Sequence, residues 1–346
     1  MTNDRRLSPA PFVLLTAAAL LLAGWTLFRT APTSNPADQL VVYCAHDAVY
    51  AEEILQKFQQ ETGIRVDVRF DTEATKSLGL VQQIVQERAF PRCDVFWNNE
   101  LLGTEELKQQ NLLEAYRGTA WDRLPSQFKD AEGMWVGFGA RLRVYIVNRD
   151  KLPATEEAVS TALAGDLTEA AIAKPMFGTT LTQFSLMWQE LGPEDVKKWY
   201  ADLKERNIKV VNGNALVKNL VAAGTCRFGF SDTDDAFVAA DDGYPTEMLP
   251  IRVNGKTISI PNTAAIVRGT KRRSAAERLI DYLGSAETEL ALAKSKSRQV
   301  PLGPVNLDQL PAEVRPLYVW AQDGADLSGL LPARRSCLEW LRDDAQ

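Results

Sequence analysis

The sequence predicts an α/β protein of two lobes with a cleft between them. The chain has 346 residues, a length that suits two domains of ordinary size. Its apolar fraction is 45% and its charged fraction is 24%, which are ordinary values for a globular protein. Along residues 38–300, apolar segments with strand and helix periodicity alternate. This alternation is the order that builds parallel sheets covered by helices.

Residues 1–37 predict an N-terminal signal or anchor that is separate from the two lobes. Arg5 and Arg6 precede an apolar run over residues 11–28, and a stretch rich in Pro, Thr and Ser follows it. A basic start before an apolar run is typical of an export signal, and about 18 apolar residues also suffice to span a bilayer. The sequence leaves open whether the segment is cleaved or stays as a membrane anchor. In both cases the rest of the chain is expected in the periplasm or another extracytoplasmic space.

A βαβαβ pattern predicts the core of the first lobe. Its expected elements are strands at 40–44, 64–70 and 94–97, and helices at 48–61, around 78–85 and at 100–110. Such a pattern forms a parallel sheet with right-handed crossovers, and ligands bind beyond the carboxyl ends of its strands. His46 follows the first strand, and Asn99 and Glu100 follow the third. These residues are candidates for the cleft; the alternatives are a turn residue for His46 and a helix cap for Asn99 or Glu100.

A second block of alternating elements predicts the other lobe. Its expected strands are at 141–148, 208–211, 228–230, 258–261 and 264–267, and its expected helices are at 181–191, up to 205, 214–223, 272–283 and 286–294. Polar residues follow the strands in both blocks, so the strand ends of the two lobes are expected to face each other. We expect residues 38–140 with 263–304 to form lobe 1, and residues 141–262 with 305–346 to form lobe 2.

Charge and rare residue types exclude some functions. The net charge of −6 argues against nucleic-acid binding, which needs a basic face. His46 is the only histidine, so a histidine-rich metal site is excluded. The four cysteines show no framework spacing. Cys44 and Cys93 are expected at opposite ends of the sheet, whereas a Cys226–Cys337 disulfide stays open beside the alternative of four buried thiols.

Three acidic residues follow the strand at 228–230: Asp232, Asp234 and Asp235. Carboxylates this close repel each other unless a metal, an ammonium group or an arginine neutralises them. They are hard oxygen ligands, so a metal ion fits them chemically. The alternative is a solvated helix start, where acidic residues interact favourably with the helix dipole.

The order and spacing of four motifs resemble the solute-binding proteins of ABC importers, in the branch of the ferric-iron-binding proteins. The motifs are Val41-Val42-Tyr43 before His46, residues 61–66, residues 94–97 and residues 139–144. The resemblance covers most of residues 38–300. It implies the bilobed type 2 periplasmic-binding-protein fold, in which crossover strands join two α/β lobes that close on a ligand. It also implies a monomer that delivers its ligand to a membrane permease with ATPase subunits, with no enzymatic activity and no catalytic cofactor.

The same resemblance implies ferric iron (Fe3+), with a synergistic anion, as the ligand. The metal ligands that it implies are His46, Glu100, Asp234 and Asp235. The relatives carry two adjacent tyrosines where this chain has Thr233-Asp234-Asp235, and by direct counting their glutamate falls on Asn99.

The groups that the resemblance implies for the anion are Arg141, Thr179, Thr180 and Asn214. Thr179 and Thr180 begin a predicted helix, whose free N–H groups attract anions. Helix capping is the alternative for Thr179 and Asn214. Arg141 and Arg143 alternate with apolar residues, and the sequence leaves open which of them points to the cleft.

Other functions remain open at this point. A small zwitterion such as an aminophosphonate would place its amine on Asp234 and Asp235, and its acid group on Arg141, Thr179 and Thr180. Paired carboxylates in a cleft also suit acid–base catalysis, as in glycosidases. However, the sequence contains neither a G-x-S-x-G nucleophile motif nor a phosphate-binding glycine loop. A sensor domain of a signalling membrane protein is the remaining alternative.

Overall fold

A computed structural model describes residues 39–46, 48–71 and 78–344 of the chain. The signal or anchor expected at residues 1–37 lies outside the described residues and stays a prediction. Within the described ranges, no helix has the combination of length and hydropathy that a membrane span needs.

Strands and helices alternate along most of the described chain. The strands are β1 (Gln39–Cys44), β2 (Arg65–Phe70), β3 (Val95–Asn98), β4 (Leu113–Glu114), β5 (Val136–Asn148), β6 (Ala170–Ala173), β7 (Lys209–Val211), β8 (Phe228–Asp232), β9 (Thr246–Pro250), β10 (Arg252–Val253), β11 (Lys256–Thr257) and β12 (Ser259–Val267). The helices are α1 (Ala48–Thr62), α2 (Leu78–Gln86), α3 (Leu102–Gln109), α4 (Thr119–Arg123), α5 (Glu156–Ala164), α6 (Gly178–Leu191), α7 (Pro193–Glu205), α8 (Asn214–Ala222), α9 (Thr233–Asp241), α10 (Arg273–Leu283), α11 (Ala286–Lys294), α12 (Arg315–Gln322) and α13 (Leu331–Asp344). The predicted α/β class is confirmed.

One sheet runs through the molecule in the strand order β2-β1-β3-β12-β5-β8-β6-β7, with β4 on β12 and β9 on β5. β1 pairs in parallel with β2 and β3, as the βαβαβ pattern predicts. β6 likewise pairs in parallel with β7 and β8. We call the part built from β1, β2 and β3 lobe 1, and the part built from β6, β7 and β8 lobe 2. The exact residue boundaries of the lobes remain a prediction.

Two long strands connect these parts of the sheet. β5 pairs with β12 through residues 136–142, and with β8 and β9 through residues 143–148. The expectation of two separate strands at 258–261 and 264–267 is wrong, because β12 is continuous from Ser259 to Val267. Its register with β5 shifts between Pro261 and Asn262. Proline has no N–H to donate, so a local irregularity is expected there within a continuous strand.

A second difference concerns β6, which the sequence did not predict as a strand. Its residues are Ala-Ala-Ile-Ala, and all four are buried. Alanine has a low strand propensity, so local composition carries no strand signal. Tertiary contacts determine the strand conformation instead. β6 lies between β7 and β8, and apolar clusters cover both of its faces.

Buried side chains cover the sheet and leave the strand ends to polar residues. Phe58 of α1, Val95 of β3 and Leu279 of α10 belong to one apolar cluster. Phe184 of α6 and Phe230 of β8 belong to another. The burial of such side chains stabilises the helices on the sheet by removing apolar surface from water.

The four cysteines are buried free thiols. The alternative of a Cys226–Cys337 disulfide is therefore wrong: Cys226 packs in a small cluster near β6 and α8, and Cys337 lies on α13 in a different cluster. Cys44 is level with Trp97 at one end of the β1–β3 pair, whereas Cys93 precedes β3 at the other end. This placement confirms the expectation that Cys44 and Cys93 are too far apart to pair.

Candidate functional site

The end of β1 brings His46 onto an aromatic surface. His46 is buried, and its ring stacks on the Trp97 ring with centroids 5.5 Å apart and an interplanar angle of 17°. The Tyr50 ring lies 6.0 Å from it. Trp97 belongs to β3, which pairs directly with β1. The sheet therefore holds the imidazole at the expected strand end.

The end of β3 brings Glu100 to the start of α3, where it acts as a cap. Its Oε2 accepts a hydrogen bond of 2.7 Å from the N–H of Leu102, and its Oε1 accepts one of 2.7 Å from the N–H of Gly103. These N–H groups have no partner inside the helix, so the carboxylate satisfies them and interacts with the positive end of the helix dipole. The capping alternative thus describes Glu100 in this structure.

In lobe 2, three carboxylates meet where β8 ends and α9 begins. Asp232 is the last residue of β8, and Asp234 and Asp235 lie in the first turn of α9. One oxygen from each lies within 4.8 Å of the others. Asp232 is buried, whereas the other two are half-buried. The structure therefore brings together the acidic residues that the sequence singled out.

Asp232 is neutralised from inside the protein by Arg143. The two residues are direct partners across the antiparallel β5–β8 pair. Arg143 Nη1 donates to Asp232 Oδ1 at 2.8 Å, and the exposed side-chain fractions are 0% and 3%. Arg143 Nε also donates to Gln183 Oε1 of α6 at 2.9 Å. Arg143 Nη2 is buried without a hydrogen-bond partner among the described residues, so hydrogen bonds satisfy this buried pair only in part.

Thr179, Thr180 and Asn214 form a hydrogen-bonded group around the same carboxylate. Thr179 Oγ1 donates to Asp232 Oδ2 at 2.6 Å, and Asn214 Nδ2 donates to it at 2.9 Å. Thr180 Oγ1 donates to Asn214 Oδ1 at 3.1 Å. Thr179 and Thr180 lie in the first turn of α6, and Asn214 begins α8. Three of the four residues predicted for the anion are therefore together, and Thr179 and Asn214 bind a carboxylate of this chain.

Two glycines allow these helix N-termini to approach the group. Gly178 begins α6 with φ of +59°, and Gly213 precedes α8 with φ of +101°. Both values lie in the region that glycine adopts without steric cost. The backbone can thus turn sharply from strand to helix and direct the N-termini of α6 and α8 to the end of β8.

Arg141 links the two lobes across the site. Its Nη2 donates to the backbone oxygen of Asn99 at 3.2 Å, and its Nη1 lies 3.4 Å from Asp234 Oδ2. Arg141 and Arg143 are two residues apart on β5, so they point to the same face of the strand. The sequence left their roles open; the structure pairs Arg143 with Asp232 and Arg141 with Asp234.

Asp235 carries the clearest electrostatic signal of the site. Its burial, and after that the neighbouring carboxylates of Asp234 and Asp232, together raise its pKa to about 7. A hydrogen bond of 2.9 Å from Ser231 Oγ opposes this effect on the pKa. Thr233, the other candidate here, accepts a hydrogen bond of 3.2 Å from the N–H of Leu142 and so anchors α9 to β5.

Sequence reasoning considered Arg143 only as an alternative to Arg141 and did not assign it to the site. Charged and apolar residues alternate at 141–144, and this alternation indicates that Arg141 and Arg143, two residues apart on a strand, share one face. The partner could not be identified without the register of β5 against β8. Asp232 was noted for its charge, but its role as the centre of the hydrogen-bonded group follows only from the three-dimensional arrangement.

The two strands that connect the lobes, β5 and β12, and the carboxylate cluster at the end of β8 suit a bilobed ligand-binding protein. Residues 40–295 match the model of the family described as bacterial extracellular solute-binding proteins. This match covers well over half of the chain, so the protein belongs to that family. The prediction of an extracytoplasmic solute-binding protein is confirmed.

Individual relatives agree with this assignment. A probable ABC transporter periplasmic-binding protein of Sinorhizobium fredii is 26% identical over 254 residues, which are 68% of this chain and 68% of that protein. An Fe(3+)-binding periplasmic protein of Serratia marcescens is 25% identical over 134 residues, which are 39% of this chain and 38% of that protein.

A solved structure matches over nearly its whole length. Iron-bound HitA from Pseudomonas aeruginosa has a TM-score of 0.77 and 19% identity, and the match covers 89% of this chain and 99% of that chain. At this identity the likeness shows the fold alone. It confirms the predicted bilobed type 2 periplasmic-binding-protein fold.

Proposed function

We propose that the protein captures ferric iron in its cleft and delivers it to the permease of an ABC transporter, which works with ATPase subunits. The observation that carries this proposal is the meeting of three carboxylates, with oxygens within 4.8 Å of one another. Ferric iron is a hard cation that favours such oxygen ligands. The Serratia relative, which is named for Fe(3+) binding, supports the same ligand class.

The charges of the site also favour a cation. Arg143 balances Asp232, and Arg141 lies beside Asp234. Asp235 has a raised pKa, because it is buried and because its ionised form would add a further negative charge to this group. A trivalent cation would favour the ionised carboxylate and displace its proton. The cluster is therefore arranged to become more stable when a cation enters.

Asp234 and Asp235 are the proposed first ligands, and His46 and Glu100 would complete the set from lobe 1. Glu100 would have to release the N–H groups of Leu102 and Gly103, or use a remaining lone pair. A hinge closure about β5 and β12 would bring the lobe 1 groups toward α9. The ferric-iron-binding proteins that the sequence resembles have tyrosines at this place, whereas this chain has Asp234 and Asp235. Carboxylates would therefore supply the negative charge that phenolates supply in those proteins.

The test is native mass spectrometry of the full-length protein, purified without chelator from an oxidising compartment. A retained mass of one iron is expected. Titration with a ferric chelate should also change the fluorescence of Trp97, whose ring stacks on His46. A retained organic mass, such as an aminophosphonate, would contradict the iron proposal and favour the zwitterion.

Variants test whether the ligand binds to the proposed residues. Asp234→Asn and Asp235→Asn should each weaken iron binding by at least about 100-fold, because each removes a charged oxygen ligand. The matched control is Asp242→Asn at the exposed end of α9, which should leave affinity unchanged. Equal affinity in all three variants would contradict the assignment of the site.

The location and partners follow from the same proposal. Residues 1–37 would direct the chain across the membrane and leave it either cleaved or anchored. N-terminal sequencing of protein from the native host distinguishes these outcomes. Size-exclusion chromatography with light scattering tests the expected monomer.

A further inference from the structure

We infer that Asp232 is a built-in anion: its carboxylate occupies the position where the helix N-termini would hold an external anion, so the protein binds its cation without one. The inference rests on the proposed function for the identity of the cation. It reverses the expectation of a synergistic anion held by Thr179, Thr180 and Asn214.

The geometry around Asp232 is that of an anion-binding site. A hydroxyl from the first turn of α6 and an amide from the start of α8 both donate to Oδ2, at 2.6 and 2.9 Å. A guanidinium donates to Oδ1 at 2.8 Å. Hydroxyl, amide and guanidinium donors of this kind are groups with which proteins bind anions. Here the anion that they bind is covalently part of the chain.

The donor hydrogens of the threonine and asparagine side chains around Asp232 are all in use, whereas the buried Arg143 Nη2 has no hydrogen-bond partner among the described residues. Thr179 has one hydroxyl hydrogen, which it donates to Asp232. Asn214 has two amide hydrogens, and Nδ2 donates to both Asp232 and Thr179 Oγ1. Thr180 donates its hydroxyl hydrogen to Asn214. An external phosphate or carbonate would therefore need to displace Asp232 before these side chains could bind it.

Burial and strand register fix the carboxylate in this position. Asp232 is 2% exposed and Arg143 is 0% exposed. The two residues are paired across β5 and β8, so the sheet itself sets their distance. An external anion at this place would meet a negative charge that cannot move into solvent. Asp232 is thus a specificity-determining residue that excludes anions and leaves Asp234 and Asp235 for the cation.

The test compares the full-length wild-type protein with Asp232→Asn, in buffer free of phosphate, carbonate and citrate and in the same buffer with added phosphate. Without iron, phosphate should leave the thermal midpoint of the wild type unchanged and raise that of Asp232→Asn. The asparagine removes the negative charge and frees Arg143 and Thr179 to bind phosphate. A phosphate-induced rise in the wild type would overturn the inference, whatever the protein does with iron.

Iron binding gives the second readout, measured by competition with nitrilotriacetate. Phosphate should change the apparent iron affinity of the wild type by less than about twofold, and should raise that of Asp232→Asn at least about tenfold, as expected for a new charge-assisted anion site. Native mass spectrometry should show iron alone on the wild type and iron with phosphate on the variant. Phosphate-dependent iron binding by the wild type would overturn the inference while the proposed function stands.

The wild-type measurements remain decisive if Asp232→Asn does not fold. Thr179→Val then serves as the second variant, because it removes a donor that an external anion would need. If the wild type uses no external anion, phosphate should affect iron binding by this variant and by the wild type equally. Loss of a phosphate response in this variant would show that the wild type does use an external anion. Absence of iron binding by a folded wild type would instead reject the proposed function, and the phosphate-only arm would still decide the role of Asp232.

Discussion

The strand ends of lobe 1 and lobe 2 use polar side chains in different ways. In lobe 1, Glu100 satisfies the backbone of α3, and His46 packs on Trp97. In lobe 2, the polar side chains surround charge: Asp232 is held by an arginine, a threonine and an asparagine, and Asp235 keeps a raised pKa. The comparison shows that the polar strand-end groups of lobe 1 satisfy a helix backbone and pack on an aromatic ring, whereas lobe 2 concentrates carboxylates at its strand end.

The largest expected effect comes from breaking the buried pair in lobe 2. Arg143→Met should reduce the free energy of unfolding by about 3–5 kcal/mol, because it leaves Asp232 buried without its countercharge. Urea denaturation measures this change. Arg141→Met is the matched control: Arg141 lies 3.4 Å from a half-buried carboxylate, so its loss should cost much less. Equal losses in the two variants would contradict the central role given to the Arg143–Asp232 pair.

The second-largest expected effect is a pH dependence of stability that arises from Asp235 in lobe 2. The pKa of Asp235 is about 7 in the folded protein, against about 4 for an unfolded aspartate. Between these values the folded state holds a proton that the unfolded state has lost, so stability should fall as pH rises from about 4 to about 7. Chemical denaturation of the ligand-free protein across this range measures the fall.

Asp235→Asn is the variant that isolates this contribution. It removes the titrating group, so its stability should change less with pH than that of the wild type between pH 4 and 7. Asp242→Asn, at the exposed end of the same helix, should keep the wild-type profile. If both variants titrate alike, the pH dependence arises outside the cluster.

The sequence predicted the frame of lobe 1 more completely than the chemistry of lobe 2. The helix expected at 48–61 is Ala48–Thr62, because an apolar stripe and the Gly63 stop signal define it locally. The residues Thr179, Asn214 and Asp232 were also recognised as polar strand-end groups. Their mutual contacts could not be predicted, because they depend on how β6, β7 and β8 are ordered and on the register of β5 against β8.

A smaller effect should follow removal of the cap in lobe 1. Glu100→Ala should cost about 1 kcal/mol of stability, since two N–H groups at the start of α3 lose their acceptor. Glu100→Gln, which keeps one acceptor oxygen, should cost less. The informative measurement is iron affinity in the same two variants. A loss of at least about tenfold, or about 1.4 kcal/mol, would show that Glu100 leaves its capping role to bind the ligand.

The smallest change in stability, and the sharpest test of ligand charge, is expected for Arg141→Gln. Its Nη1 lies 3.4 Å from Asp234 Oδ2, longer than a strong charge-assisted hydrogen bond, so its loss should cost about 1 kcal/mol or less. Its effect on binding depends on the ligand. A cation competes with the guanidinium for Asp234, so iron affinity should rise in Arg141→Gln. An organic ligand whose acid group binds Arg141 would instead bind more weakly. A titration of this variant with a ferric chelate and with an aminophosphonate therefore separates the two ligand classes by the sign of the change.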